Sequence, residues 1–578
     1  MVVHTVAPMK LKWIFQCLGL IFLFAALFVL NSFSISDGDY FWHVNTGQWI
    51  WEHRVLPVSD PFSFTVTDSN PFRPESGRVQ FILQQYWLAQ LALYSLWSWG
   101  GEASIVVLRA LIHSGLIFAV FWCSWRRAGI YCALIFAALT FCQFQTIPNE
   151  RPQLFTCLFV FLLVILLEKV TDRSRPVPGA IIVGLPVMML LWANMHGGYI
   201  LGLCVITAYT VGFCLERSKS FDSASGKKIL LLIGSGVITM ANPVGLTTLF
   251  SELFATQSNY LSGVQENVSS VKLILSGGIM SHLPYVVMLL LTIVTLINAF
   301  KQMRATHLLA VGGVLVLSLL AFRYQIFLFL LAPLVATYLP FSQKKLWAVP
   351  VAALLIVFLL TNTKFQKPSV FAASPEFPAA AIEFVRTTQP SQNLFNYYDW
   401  GGYLAFKAPE YKVFVDGRGL VEEFVTKHGE VLYEEKLSAL DDYTINTTIF
   451  PIHNLATGKV IPLAVMLMYD PDWKAVFMGR NSLVFVRNVP ENKAIISTYA
   501  IHQDDLARAL VDAYDRMLVL YPAHYRALVT KAQLQENIGD LTGAMHSLKR
   551  AQAVNPESLY VREAIQRLMR KSVRLGSG

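Results

Sequence analysis

An Asp37-Gly38-Asp39 triplet stands just after the first long apolar run of the chain. Two carboxylates separated by one glycine can turn toward a single cation or a single substrate, and hard divalent cations take oxygen ligands. Carboxylates at the mouth of a membrane span are costly unless they bind a cation, a substrate or a proton. The plainer alternative is an Asp capping a helix that starts near Tyr40. Further polar groups recur between apolar stretches. Glu150 and Arg151 lie in the turn Pro148-Asn149-Glu150-Arg151-Pro152, which is too short to leave the membrane surface. They read as site residues or as a surface ion pair. Glu266 follows Val264-Gln265 in a polar loop. His196, in Asn194-Met195-His196-Gly197-Gly198, reads as an interhelical hydrogen-bonder or as a ligand. Arg323, at the end of an apolar run, suits an anionic group such as a lipid phosphate, or else snorkels to the interface.

The elements that must position these groups are membrane spans. The 578 residues are 54% hydrophobic and 14% charged, against about 25% charged in an ordinary soluble protein. Apolar runs long enough to span fall at 13–34, 103–124, 128–147, 153–170, 177–195, 198–215, 228–243, 284–300, 305–322, 324–340 and 345–362. A run at 81–99 carries Gln84, Gln85, Tyr86 and Gln90 and reads as an interfacial helix. With eleven spans the basic clusters Lys10/Lys12, Arg126/Arg127, Lys169/Arg173/Arg175, Arg217/Lys219/Lys227/Lys228, Lys301/Arg304 and Lys344/Lys345 all fall inside, as the positive-inside rule requires. Segments 35–102, 148–152, 244–283 and everything after about Thr363 then share the outer face. The net charge of +9 is accounted for by those inner loops, and no nucleic-acid partner is implied. The seven cysteines lie in or beside the spans, with no zinc spacing, and read as small buried hydrophobes. The first apolar run is too long for a signal-peptide core and reads as an uncleaved span.

From Lys364 the composition becomes that of a soluble domain. A helix is expected at 377–386 and strands at 393–406, 412–415, 443–450 and 482–486, giving a small α/β domain. Tyr397-Tyr398-Asp399-Trp400-Gly401-Gly402-Tyr403 reads there as an aromatic strand turning at two glycines. Beyond about Gln503 the pattern is helical, with Pro522 and Pro556 standing 34 residues apart and Tyr525, Ala527, Gly539, Ala544 and Ala551 between them. That is a tetratricopeptide-like spacing. The expected organisation is a polytopic α-helical membrane domain over 1–363, an α/β domain over 364–495 and a short α-helical, tetratricopeptide-like segment over 500–575.

These residues together resemble the GT-C superfamily of polytopic glycosyltransferases, whose first outer loop carries an acidic DxD-like motif where Asp37 and Asp39 stand. The resemblance extends to the oligosaccharyltransferase catalytic subunit. Tyr397-Tyr398-Asp399-Trp400-Gly401 is similar to that family's WWDYG motif, and Phe414-Val415-Asp416-Gly417-Arg418 follows it. Val264-Gln265-Glu266 is similar to its mobile loop with a catalytic Glu, and Glu150 matches an acid of its second outer loop. Asp37-Gly38-Asp39-Tyr40-Phe41-Trp42-His43 with Arg151-Pro152-Gln153 also resembles a group of bacterial membrane proteins.

The resemblance implies transfer of a sugar or oligosaccharide from a polyprenyl-(pyro)phosphate donor at the outer face of the membrane, which the charge topology reads as a bacterial inner membrane. The N-terminus would be cytoplasmic and the C-terminal domain periplasmic. Asp39, Glu150, Glu266 and Asp37 would be the catalytic acids. Asp39, Glu150 and His43 would hold a divalent cation, Mg or Mn. Arg323, Arg151 and His196 would bind the donor phosphate. Tyr398, Asp399, Trp400, Asp416 and Arg418 would bind a protein, glycan or lipid acceptor. Membrane lipids surround the spans, and the tail would bind a protein partner. Two other readings stand beside this one. A lipid or polysaccharide transporter would show inverted repeats and broken helices. A non-catalytic assembly protein would act through its tail.

Overall fold

The computed structural model describes residues 7–66, 77–146, 150–218, 221–245, 265–339, 349–351, 377–434, 436–454, 459–480 and 482–576. Contacts divide the chain into two compact units, one of Met1–Val58 with Pro74–Ser374, the other of Ser59–Arg73 with Pro375–Gly578.

The first unit is helical throughout its described residues. Its helices run α1 (Ala7–Leu30), α2 (Asp39–His53), α3 (Gly77–Gln84), α4 (Trp87–Ala128), α5 (Ile130–Phe144), α6 (Gln153–Val170), α7 (Gly179–Met195), α8 (Tyr199–Arg217) and α9 (Ser223–Val237). Further along the chain come helices at Ser270–Gly277, Leu283–Ala299, Ala305–Leu320, Gln325–Leu330 and Ala332–Tyr338. Val79–Ala128, Gln153–Val170, Tyr199–Arg217 and Ile279–Ala299 are long and apolar enough to cross a membrane. Shorter apolar helices occupy Cys17–Leu30, Ile130–Phe144, Gly179–Met195 and Ala305–Leu320. Such lengths and compositions mark a membrane protein.

Two features bear on the sequence expectation. Trp87–Ala128 is broken at Gly100 and Gly101, where Gly101 has a φ of 62°, so the run expected at 81–99 is helical and turns at the glycine pair into the next helix. The span expected at 324–340 is two short helices meeting at Leu331, and every residue from Gln325 to Ala336 is buried. Pro333, at the start of the second helix, lacks the amide that would continue the first. The span expected at 345–362 lies outside the described residues apart from 349–351.

The ends of α6, α8 and Ala305–Leu320 away from the Arg151 turn are tied by charge. Glu216 accepts from the Thr306 amide (2.9 Å) and pairs with Arg173 (2.9 Å), while Glu168 pairs with His307 Nε2 (2.7 Å).

The second unit carries a four-stranded sheet in the order β1 (Leu394–Asn396), β2 (Thr447–Phe450), β4 (Leu483–Arg487), β3 (Trp473–Met478). β1 pairs parallel with β2, and β2–β4 and β4–β3 are antiparallel. The strand expected over 393–406 ends at Asn396; Tyr398–Trp400 is a 3-10 turn leading into the helix Gly401–Lys407. A Cβ at Gly401 would lie 2.3 Å from Val415 O, so the glycine lets the two segments touch. The strand expected at 412–415 is reduced to single bridges from Val413 to Ser63 and Leu394. After the sheet come helices at Gln503–Leu520, Tyr525–Asn537, Leu541–Val554 and Leu559–Gly576.

Candidate functional site

Arg151 gathers three carboxylates from two separate segments. Its Nε lies 2.7 Å from Asp37 Oδ2, its Nη1 lies 2.8 Å from Asp39 Oδ2, and its Nη2 pairs with Glu266 Oε1. Local structure aims each group. Asp37 Oδ1 accepts from the Asp39 amide (3.1 Å), closing an Asx turn that starts α2 with Asp39 in its first turn. Arg151 precedes the helix start at Pro152, and its carbonyl accepts from the Leu154 amide (2.9 Å). Glu266 sits in the single 3-10 turn Gln265–Asn267. The side chains of Asp39 and Glu266 are 23% and 30% exposed, whereas Asp37 is 7% exposed. One guanidinium cannot offset three carboxylates. Burial pushes the Asp37 carboxyl up, Arg151 draws it down, and Asp39, Glu150 and Glu266 push it up again, to about 7.

Glu150 faces away from that cluster. Its carboxylate pairs with Arg109 in the interior of α4, and both side chains are essentially inaccessible. The same guanidinium donates to the carbonyls of Phe33 and Asn31, the latter at 3.2 Å, and lies over the Phe33 ring at 3.6 Å. Arg109 thus holds the backbone leading into Asp37 and the turn leading into Arg151. Sequence reasoning passed over Arg109. The available signal was a charged residue inside an apolar span, which rarely persists without a partner.

The metal set Asp39, Glu150 and His43 is not assembled. Glu150 is engaged by Arg109, Asp39 by Arg151, and His43 Nδ1 lies 3.4 Å from Gln90 Nε2. Among the described residues no group of three or more His, Cys, Asp or Glu side chains is spaced to hold a metal ion. The residues present therefore do not fit the expected Mg or Mn.

Arg151 and Glu266 line a cavity of about 290 Å³. Trp42, His43, Tyr86, His196 and Arg323 also line it, together with the apolar Ile200, Leu201, Leu317 and Phe327. Tyr86 organises the aromatic side, with its ring 5.3 Å from His43, 5.5 Å from His196 and 6.2 Å from Trp42. It is held there by its neighbours: Trp87 Nε1 donates to Asn194 Oδ1 (2.9 Å), and Gln85 Nε2 donates to the Ala193 carbonyl. Gln85 and Tyr86 counted only as interfacial polarity in the sequence; their role depends on packing against α7.

Thr156 Oγ1 accepts from Trp192 Nε1 (2.9 Å), so its hydroxyl proton is directed to His196 Nδ1 (2.9 Å), which also accepts from the Gly198 amide (2.9 Å). Nδ1 is therefore an acceptor and the neutral ring carries its proton on Nε2. Burial first, then Arg323 and Arg151, hold His196 down at about 3. It can donate one hydrogen bond to a ligand and supplies no positive charge. Arg323 lines the cavity with its guanidinium 5.1 Å from the Tyr324 ring centre.

In the second unit, Arg418 is buried between two acids. Its Nη1 lies 2.6 Å from Asp60 Oδ1 and its Nη2 lies 2.5 Å from Asp416 Oδ2. Asp60 also accepts from the Phe62 and Ser63 amides at 3.1 Å. Trp400 is buried, and the Tyr398 hydroxyl donates to the Gly417 carbonyl at 3.0 Å. Asp399 follows Tyr398 in the 3-10 turn. Asp416 and Arg418 thus form a scaffold next to the Tyr398–Asp399 turn.

No family model matches the chain, and no curated protein does. Two solved structures of the Archaeoglobus fulgidus oligosaccharyltransferase are similar to it at 10% sequence identity. The one titled as a complex with Zn and sulfate has a TM-score of 0.44 over 80% of this chain and 73% of that one. The apo form has a TM-score of 0.43 over 79% and 73%.

Proposed function

We propose that this protein is a membrane glycosyltransferase that moves a sugar or oligosaccharide from a polyprenyl-(pyro)phosphate donor to an acceptor at the outer face. One observation carries the reading: a single cavity is lined both by apolar side chains, Leu201, Leu317 and Phe327, and by Arg323, His196, Tyr86 and Glu266. An amphiphilic donor matches both sets. Its isoprenoid end meets the apolar residues. Its phosphate meets Arg323, with His196 Nε2–H as an added donor. The sugar ring lies against Trp42 and Tyr86.

In the transfer, the bond between the anomeric carbon and the phosphate oxygen breaks, and the phosphate leaves with the electron pair. The acceptor O–H or N–H attacks the anomeric carbon, and its proton passes to a carboxylate. Glu266 lines the cavity and is the first candidate for that base, with Asp39 beside it. The positive charge of Arg323 stabilises the departing phosphate. Glu150 is assigned to positioning Arg151, and Asp37 to holding the proton that the acidic cluster requires. The acceptor, a protein, glycan or lipid, is assigned to the Tyr398–Asp399 turn supported by Trp400, Asp416 and Arg418. The eleven-span topology, the bacterial inner membrane, the periplasmic C-terminal domain and a protein partner for the tetratricopeptide-like tail belong to the same proposal.

The transporter reading gains one observation, the helix break at Leu331. Transporter sites use the freed backbone groups of broken helices. Here Leu331 N bonds Phe327 O (3.2 Å) and Leu331 O accepts from Leu334 N (2.9 Å), and the residues from Ile326 to Ala336 are all apolar.

The test is transfer of radiolabelled sugar from a polyprenyl-linked donor pool in membranes. Glu266→Gln and Arg323→Met are each expected to lower it by roughly 100-fold or more at unchanged protein level. Unchanged labelling in both would sink the catalytic reading and favour the assembly protein, for which loss of residues 500–575 should be the damaging change.

A further inference from the structure

We propose that Arg151 is the resident cation of the acidic cluster, so that Asp37, Asp39 and Glu266 hold a guanidinium where a divalent metal would otherwise sit. The inference rests on the proposed glycosyl-transfer site but concerns what binds there, and it is tested without turnover.

Three observations support it. First, one guanidinium reaches all three carboxylates: Nη1 and Nη2 donate to Asp39 and Glu266, and Nε lies at ion-pair distance from Asp37 Oδ2 without a hydrogen bond between them. A planar guanidinium offers donors in this forked pattern; an ion demands oxygens gathered at about 2.1–2.6 Å around one point. Second, among the described residues no set of three or more Asp, Glu, His or Cys side chains is arranged to hold an ion. Third, Arg151 is fixed there from behind. Glu150 on one side is anchored by Arg109, and Pro152 on the other begins α6, so the arginine side chain has little freedom to withdraw.

Arg151 also lines the cavity, as Arg323 does, so the cation that holds the acids is itself presented to a ligand there.

Manganese binding by the purified full chain, read as loss of the free Mn²⁺ EPR signal, tests this directly. The wild type is expected to take up no stoichiometric Mn²⁺ below millimolar concentration. Arg151→Ala strips three carboxylates of their cation and is expected to bind one Mn²⁺ per chain at least about 100-fold more tightly, an increment lost in Arg151→Ala with Asp39→Ala. One Mn²⁺ bound tightly by the wild type and lost in Asp39→Ala would overturn the proposal, whether or not Arg151→Ala folds. Silence in both the wild type and folded Arg151→Ala would overturn it as well. If sugar transfer fails while the Mn²⁺ results stand, the glycosyltransferase reading falls and this one survives. If transfer holds but the wild type binds Mn²⁺, the reverse is true.

Discussion

Glu150 and Arg151 are neighbours that face opposite ways, and that division decides what the site can do. The sequence placed both in an outer turn with equal claims to chemistry. What it could not carry was direction: in a short turn adjacent side chains diverge, and only the position of Arg109, some 40 residues earlier, makes the inward direction favourable for Glu150. Asp37, Asp39 and Glu266 stand in segments expected at one membrane face, but sharing a face does not bring segments as long as 35–102 and 244–283 to one point, and their meeting at Arg151 was not legible. Burial among like charges makes Asp37 a pH-sensitive group. Its carboxyl stands at 3.8 when unperturbed and near 7 in the fold. Between those values the folded chain binds a proton that the unfolded chain releases, so this group's stabilisation is complete below about 4 and is lost as pH rises through 7. The melting temperature of the wild type minus that of Asp37→Asn is therefore expected to fall from pH 5 to pH 8. A difference that rises over that range would mean that Arg151 outweighs burial at this carboxyl.

At the scale of elements, the site depends on how closely α2 lies on α4. A Cβ at Gly47 would stand 2.1 Å from Gln90 O and 2.9 Å from Tyr94 Cβ. Gln90 in turn reaches His43, one turn earlier on α2, and Asp39 begins the same helix. The glycine fixes the distance between the aromatic wall and the acidic cluster's first helix. The helix beginning near Tyr40 was readable from its aromatic and polar pattern. The close approach was not, because a glycine in an amphipathic helix looks the same whether it faces solvent or another backbone. The break at Leu331 was hidden for a related reason: an unbroken apolar run satisfies the criterion for one span and equally for two short buried helices. Gly47→Ala is expected to cost about 1–3 kcal/mol through overpacking, read as a lower melting temperature. Gly184→Ala, on α7 with nothing within 4 Å, is the control and is expected to be neutral or slightly stabilising. Equal melting temperatures for the two variants would mean that α2 is not seated on α4 at this point.

On the scale of the whole molecule, the chain leaves its helical unit after Val58, contributes Ser59–Arg73 to the second unit, and returns at Pro74. The sequence placed this stretch within an outer loop of the membrane domain; its only hint of another allegiance was the Ser59-Asp60-Pro61 turn, which names no partner. The partner is supplied from far along the chain by Arg418, with Asp60 and Asp416 on either side at 0% and 2% exposure. Backbone bonds extend the attachment, from Phe64 N to Val413 O at 3.1 Å and from Val413 N to Phe62 O at 3.0 Å, and Thr65 donates to the Phe414 carbonyl. A buried arginine between two carboxylates is worth little against an apolar substitute for all three, but removing the arginine alone leaves two buried charges without a partner. Arg418→Met is accordingly expected to destabilise the second unit by about 3–5 kcal/mol. Amide hydrogen exchange of the full chain locates the effect. Protection at Phe64 and Val413 should collapse in Arg418→Met and should return when Asp60→Asn and Asp416→Asn are added, because the triple variant buries no unpaired charge. Protection that survives in the single variant would show that the bridge between Ser63 and Val413 holds the segment without the ion cluster.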